Sequence, residues 1–531
     1  MKQKIYLLLC MLCPFIMQNA DGMCSERCNI STHTTLIPRQ LSQNSVLELG
    51  LFNYFDHHRD LECNACESWV NVEVVAPYYF KSTRSSKLAQ YFIPRCQDCV
   101  SVGQNNTSDI SSPWLNVSGT GSFPYQSTIC IAPTRSVVGG ALRLYFDLSG
   151  FLDNCGCFGS HWWASIFIPV QQVRHNLHVS ETLAFGSGVG LLASGFAFAS
   201  QALNNPAWTF GKWSPNTLTK VGVDDIAVKL GYDFADGDCG DASLYALLFI
   251  PTGRGTKAKY MFEPLVGGNH VGLGLGFNGD YRAYECDQTS VDLMCDVRYA
   301  YFFKHTERRS IDLFNGDLSR YLLVVQQATL AAPDAQVTPL PGINAFTQDV
   351  KITPRGMFEV WAAIGFNSCN WHLELGYDFW LRSKEKISLP DKTLDVGIFD
   401  IAAALNPAAG ICAITAHCAR ICQALPGADA PVSDATFTFV QNSNAINEQG
   451  TTQDGNSCCP VFCAAPNQCS FLNLDSAASP RALSSTIYGA ISRECCWCDH
   501  AIMVGVGAQY EFANRSALSQ YGLWLKTAIS F

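Results

Sequence analysis

Charge is what this chain has least of. Only 15% of its 531 residues are Asp, Glu, Lys or Arg, against about 25% in ordinary soluble domains, too few to cover a solvated globule of this size. The charge present sums to −10 at neutral pH, and the missing basic excess argues against a nucleic-acid partner. Long apolar runs are scarce too. Ile5 to Met17 is broken by Pro14 and falls short of the roughly 20 residues a membrane helix needs. Glu181 to Leu203 is interrupted by glycines and lacks a positive flank, so a helical insertion over 181–208, in a lumen or at its mouth, is expected instead. Catalytic patterns are missing as well. No Ser/His/Asp arrangement stands out, Gly253-Arg-Gly-Thr-Lys257 lacks phosphate-loop spacing, and Gly272 to Gly276 merely alternates glycine with leucine. The pair His57-His58 between Asp56 and Asp60 reads as a solvated loop. No enzyme, cofactor or metal is expected.

Cysteine is abundant by contrast. Lys2 and Lys4 precede the N-terminal apolar run, and Ala20 and Gly22 supply small residues at −3 and −1, the pattern of a secretory signal peptide over 1–22. Its removal takes Cys10 and Cys13 from the 25 cysteines and delivers an odd number to an oxidising compartment, where disulfides are the default. Cys63 and Cys66, then Cys96 and Cys99, form a pair of C-x2-C motifs; disulfides are the better reading there than zinc. Cys495, Cys496 and Cys498 are too close for easy self-pairing and need partners elsewhere. Cys412, Cys418, Cys422, Cys458, Cys459, Cys463 and Cys469 fall in one segment, 383–480.

The dominant pattern is alternation. Ile226, Val228, Leu230, Tyr232 and Phe234 oppose Asp225, Lys229 and Asp233, and the same period of two recurs around 142–148, 271–278, 291–304, 371–382 and 502–512. The final run repeats it, with Tyr521, Leu523, Leu525, Ile529 and Phe531 on one face. Such runs exceed the usual strand of five or six residues and suit a tilted membrane strand of about 9–11, with aromatics towards the ends as in an interfacial girdle. The fold expected is therefore all-β: an antiparallel transmembrane barrel of 12–16 strands, 14 as the single best number. Further strands are expected near 46–55, 69–80, 137–149, 162–173, 242–251, 318–326 and 357–366. With the C-terminus periplasmic, 383–480 becomes a long external cysteine-rich loop and Asn367 to Asn370 an inner turn.

If the apolar stripes face lipid, Arg143, Asp147, Asp225, Lys229, Asp233, Asp280, Arg282, Asp292, Asp296, Arg298, Lys304, Glu374, Asp378, Arg382 and Lys526 face the lumen. Arg or Lys facing lipid at the midplane would cost about 2–4 kcal/mol, so a hydrated, mixed-sign bore follows.

The closing hairpin AQYEFANRSALSQYGLWLKTAISF resembles the end of Gram-negative outer-membrane barrels. STHTTLIPRQ, TERRSIDLFNGDLSRYLLV and LPGINAFTQDV followed by LELGYDFWLRSKEKI are similar to segments of uncharacterised, cysteine-rich, porin-like proteins of host-associated bacteria, and DIAVKLGYDF with LLFIPTGR is similar to hydrophobic-compound transport barrels. The resemblance implies a bacterial outer-membrane location, lipid as a partner and recognition of the C-terminal strand by the barrel-assembly machinery. It brings no known activity. Three functions are compatible: a porin-like channel for small solutes, a plugged barrel whose cysteine-rich loop cross-links the envelope to other copies or contacts a host, and a transporter of hydrophobic compounds through a side opening.

Overall fold

The structure, a computed structural model, describes residues 32–57, 70–103, 108–117, 124–148, 162–185, 196–235, 237, 240–286, 288–313, 317–326, 340–389, 396–398, 472–498, 500–513 and 516–531. The alternating runs form twelve wall strands: β1 (Val70–Ser82), β2 (Thr134–Asp147), β3 (Trp162–Asn176), β4 (Ile226–Ala235), β5 (Ala242–Ile250), β6 (Gly272–Cys286), β7 (Thr289–Phe302), β8 (Arg355–Ser368), β9 (Trp371–Arg382), β10 (Ala482–Trp497), β11 (His500–Ala513) and β12 (Gln520–Ser530). Each is antiparallel to both neighbours in chain order, and β1 pairs with β12 from Asn71↔Ser530 to Ser82↔Gln520, so the sheet closes into a barrel without an edge. The count is twelve, not fourteen. Two expected strands are absent from the wall: 46–55 is helical, and around 318–326 a short 3-10 turn precedes the small strand Leu323–Gln326.

Which face of each strand is apolar decides inside from outside. Leu230, Leu273, Leu373, Ile487, Val506 and Leu523 stand exposed on the outer face, and Leu275 is 71% exposed. Inward, the rings of Trp163, Trp361, Trp380 and Trp524 are buried. Two wall glycines make room for them. A Cβ at Gly507 would lie 2.0 Å from the Trp524 ring and one at Gly231 2.1 Å from Trp163, below any distance real side chains tolerate.

The two ends differ. At one, tight turns join β6–β7, β8–β9 and β10–β11, and the β8–β9 turn is bonded on both sides, through Cys369 N to Gln288 O (3.0 Å) and from Glu494 N of β10 to Asn370 O (2.9 Å). At the other, long connections build a cap. Cys99–Gly103 pairs with Ile110–Ser111 and with Gln126–Cys130, which also pairs with Ser180–Phe185; His305–Ser310 pairs with Thr347–Thr353, which also takes Lys386–Ser388. Two apolar clusters fill the cap, one around Phe92, Tyr125, Trp213, Phe262 and Tyr321, the other around Ile311, Leu322, Phe346 and Val350. Of the segment 181–208, expected as a helical insertion, the described parts stand in this cap, and they are a strand, Ser180–Phe185, and a single helical turn, Ala199–Leu203. No described helix is long and apolar enough to cross a membrane, which says nothing about strands.

Candidate functional site: a plugged lumen

The bore is occupied by the chain's own N-terminal segment. Thr32 starts in the cap, where its Oγ1 donates to Asp312 (2.5 Å) and its carbonyl accepts from Arg320 (2.6 Å). The segment then runs down the lumen to α2 near the turn end, where β1 begins. Asn44 initiates the short helix α1 (Ser45–Leu49), its side chain accepting from Leu47 N at 3.2 Å. Gly50 ends that turn, and α2 (Phe52–His57) follows. Val46, Leu47, Leu49, Leu51 and Phe52 are all buried.

Charge on the plug meets charge on the wall. Glu48 reaches Lys229 of β4 at 2.7 Å and Arg298 of β7 at 2.8 Å. Arg298 turns its other edge to Glu359 of β8 at 2.6 Å, and Glu359 also accepts from Ser45 N at 2.9 Å. Arg39 bridges Glu359 and Asp378 of β9, the latter at 2.5 Å. Backbone groups are held as well. Leu51 N donates to Glu374 (2.9 Å), and Lys526 donates to the carbonyls of Val46 (3.3 Å) and Gly50. Asn278 donates to Asn53 Oδ1 at 2.9 Å, and Arg382 to Ile37 O at 3.0 Å. A charge taken from water into such a site needs partners and hydrogen bonds to persist, and here plug and wall supply them to each other.

Of the residues expected to line the bore, Lys229, Asp292, Asp296, Arg298, Glu374, Asp378, Arg382 and Lys526 are buried inside the barrel. Lys229, Arg298, Glu374, Asp378, Arg382 and Lys526 touch the plug. Arg143 pairs with Glu73 of the neighbouring strand at 2.9 Å, Asp233 accepts from Trp163 at 2.9 Å and Arg282 reaches Asp292 at 3.4 Å, all within the wall. Asp280 is buried and Asp147 partly so. Asp225 stands in a break before β4, and Lys304 is exposed beyond β7. Lys304 apart, these charges are set against chain and each other rather than along an open water column. Three residues the sequence reading missed are central: Arg39, Glu48 and Glu359. Glu359 could have been found from the alternation of β8, where it sits between outward-facing neighbours.

The wall also carries a seam. The β1–β2 register shifts between Val75 and Tyr78, placing Ala76-Pro77 against Gly140. Gly140 in turn opposes Val170, and Ala141 opposes Pro169. On the far side of β3, the strand Leu218–Val223 pairs as far as Val170↔Val223, then breaks at Asp224-Asp225 before β4 takes over. Two prolines without amide hydrogens, a bulge and a break thus cross three adjacent strand pairings at one height. Asp224 ties this seam to the plug, accepting from Leu41 N (2.7 Å) and from Gln171 of β3 (3.1 Å).

Tyr521, Leu523, Leu525 and Phe531 are exposed on the outer face of β12, with Ile529 half-buried. The pairing reaches the last residue, Phe531 N donating to Val70 O at 2.9 Å. Cys99 is bonded to Cys130, its partner in the antiparallel register rather than in a C-x2-C motif. Cys96 in the cap and Cys496 at the turn end each take part in a further disulfide. Cys495 and Cys498 are exposed thiols at the turn end, beside exposed Cys369. The signal peptide, Cys63, Cys66, His58 and the cysteines from Cys412 to Cys469 lie outside the described residues.

No protein-family model and no curated protein matches the chain. Among solved structures it is similar to an outer-membrane channel from Pseudomonas putida F1 (TM-score 0.35, 10% identity, 88% of this chain and 98% of that one). It is also similar to the transport unit of the autotransporter AIDA-I from Escherichia coli (0.30, 5%, 94% and 99%) and to the Pseudomonas putida toluene transporter TodX (0.24, 8%, 94% and 94%). Likenesses this distant add nothing to the strand ladder, which establishes the closed twelve-strand barrel by itself.

Proposed function

We propose that this chain is an outer-membrane transport barrel, shut at rest by residues 32–57, which admits small solutes when that plug moves. The carrying observation is the plug itself: residues 32–57 occupy the bore, held by wall charges that water can replace as partners and by apolar side chains such as Val46, Leu49 and Phe52 packed against the wall. Membrane placement is supported by the outer apolar face, which encircles the barrel and far exceeds the few hundred Å² of exposed apolar patch usual on soluble monomers. With both signs of charge on the inner wall, the open state has weak or no cation preference. The test is single-channel conductance of the oxidised full-length protein. Wild type should be almost silent, while Arg39→Ala combined with Glu48→Ala should show frequent discrete steps. Equal, large steps from both proteins would remove the plug from the reading. Silence from both, with the barrel folded, would remove the channel.

The seam favours a second reading, transport of hydrophobic compounds sideways through the wall between β1 and β4. Its outer margin is apolar, with Val74, Val138, Val170 and Val223 exposed. A disulfide introduced by Val170→Cys with Val223→Cys should then block uptake of a fluorescent naphthalene derivative into vesicles and spare ion conductance. Undiminished uptake would leave the bore as the only route.

A further inference from the structure

The cap holds a cleft of about 660 Å³ that none of the barrel functions uses. Trp208 and Phe210 form part of its floor; Lys257, Lys259, Asn269 and Arg308 are among the groups around it. That volume lies within the roughly 300–1,000 Å³ of small-molecule sites and is too large for a bare inorganic anion to fill.

The distribution of satisfied and unsatisfied groups is one-sided. Both acids in the cleft are committed. Asp349 takes a two-point contact from Arg308 (2.8 and 2.9 Å), and Glu307 is held by Arg309 at 2.8 Å and His270 at 3.4 Å. Nearby Glu263 accepts from Lys259 N (3.1 Å) and Thr256 Oγ1 (3.4 Å). Lys257 and Lys259 are exposed, and neither makes an ion pair among the described residues. Lys212 lies next to this pair, its N donating to Lys259 O and its ammonium to Pro206 O, both at 3.1 Å. Burial, and after it the like charge of Lys259, depresses the Lys212 ammonium below its ordinary range. Lys257 and Lys259, exposed beside carboxylates already engaged by other partners, on a chain of net charge −10, form a local site for an anion. Arg308 is fixed over Phe210 at 5.2 Å, and the side chains of Thr209, Thr306 and Asn269 add hydrogen-bonding groups for neutral hydroxyls.

We propose that this cleft binds a phosphorylated or sulfated sugar, its ester between Lys257 and Lys259 and its ring against the Phe210 side of the floor. The inference does not depend on transport, since the cleft stands in the cap outside the bore. Titration calorimetry on the detergent-solubilised full chain at low salt should show glucose 6-phosphate and glucose 6-sulfate binding at least tenfold more tightly than glucose or inorganic phosphate. Lys257→Ala with Lys259→Ala should weaken binding at least tenfold and flatten its salt dependence. Lys257→Arg with Lys259→Arg should retain it, which separates charge from fold. Vesicles carrying a phosphorylated diglucosamine lipid identify the source: capture of these alone assigns a membrane headgroup, and capture of the soluble ester assigns a free ligand. Binding of neither, or equal binding by the double-alanine variant, overturns the proposal.

Discussion

The lumen and the cap are both buried and both mix apolar packing with ion pairs, but in the lumen an ionic chain joins two separate parts, plug and wall. Across the lumen, Glu48, Arg298, Glu359, Arg39 and Asp378 form one ionic chain of contacts between plug and wall, set within apolar packing that includes Val46, Leu49, Phe52 and Trp361. The cap is a conventional core, with Trp213 buried and donating to Tyr321 Oη at 2.8 Å amid apolar neighbours. Their reversibility differs accordingly. Apolar surface loses about 25 cal/mol per Å² when it returns to water, so the cap opens only by unfolding. A buried ion pair roughly balances attraction against desolvation, so the ionic part of the lumen contact can rehydrate with little net change, and the apolar side chains of the plug carry the cost of opening. A charged wall that is wet when open and paired when closed is one wall in two states.

The sharpest way to break this contrast is to damage each region once. Glu359→Ala leaves Arg298 and Arg39 short of a carboxylate and should destabilise the plugged state by about 3–5 kcal/mol, roughly a 100- to 4,000-fold gain in the open-to-closed ratio. Bilayer recordings would show it as frequent steps. Trp213→Ala should cost a similar ~3–5 kcal/mol, but in the cap, speeding proteolysis there while leaving the conductance unchanged. If the cap variant opens the channel as readily as the lumen variant, cap and plug are one cooperative unit and the contrast fails.

The difference also explains what could be read from the sequence. The wall was legible because a half-buried strand writes its two faces as alternation; Leu273 and Leu275 outward with glycines between them are an example. The apolar plug was not. Val46, Leu49, Phe52 and Phe55 recur at the helical spacing of three, yet the dense run VLELGLFNYF also passes for a strand, and only Asn44 as a helix cap argues otherwise. Nor could Cys130 be matched to Cys99, because their pairing depends on a sheet register between short strands. The charged residues were read as facing inward, but alternation gives the face and not the occupant. Water, or the backbone and few charged groups of an N-terminal segment, can satisfy the same inward side chains.

A smaller effect tests how ionic contacts behave when they lie in the cap. Burial alone would raise the Glu307 carboxyl, but the Arg309 guanidinium and His270 outweigh it and hold it down at about 2. The His270 imidazole is raised, because its bond to Glu307 outweighs the cost of burial. The depressed acid stabilises the cap fully above its unfolded value near 4.5, and this is lost as pH falls towards 2. The raised base stabilises it fully below its unfolded value of 6.5, and this is lost as pH climbs through the folded value. Cap stability should therefore peak between about pH 4.5 and 6.5, with on the order of 1–3 kcal/mol at stake. Hydrogen exchange of the His305–Ser310 strand across pH would show protection declining on both sides. Glu307→Gln should flatten the profile; an unchanged profile would mean that this cluster does not set it.

The smallest effect belongs to an ion pair that water reaches. Lys384 meets Asp475 at 2.8 Å, but their side chains are 49% and 67% exposed, so solvent screens the attraction and the ordering of two side chains offsets most of the rest. Lys384→Ala should change thermal stability by no more than about 0.5 kcal/mol and leave the conductance alone. The 2.8 Å separation matches that of Glu48 and Arg298 in the lumen, which isolates burial as the variable. Loss of partnership strands a charge only where water cannot replace the partner. If Lys384→Ala proved as disruptive as Glu359→Ala, separation alone would set the strength of these contacts, and an ionic lumen would have no special capacity to exchange its plug for water.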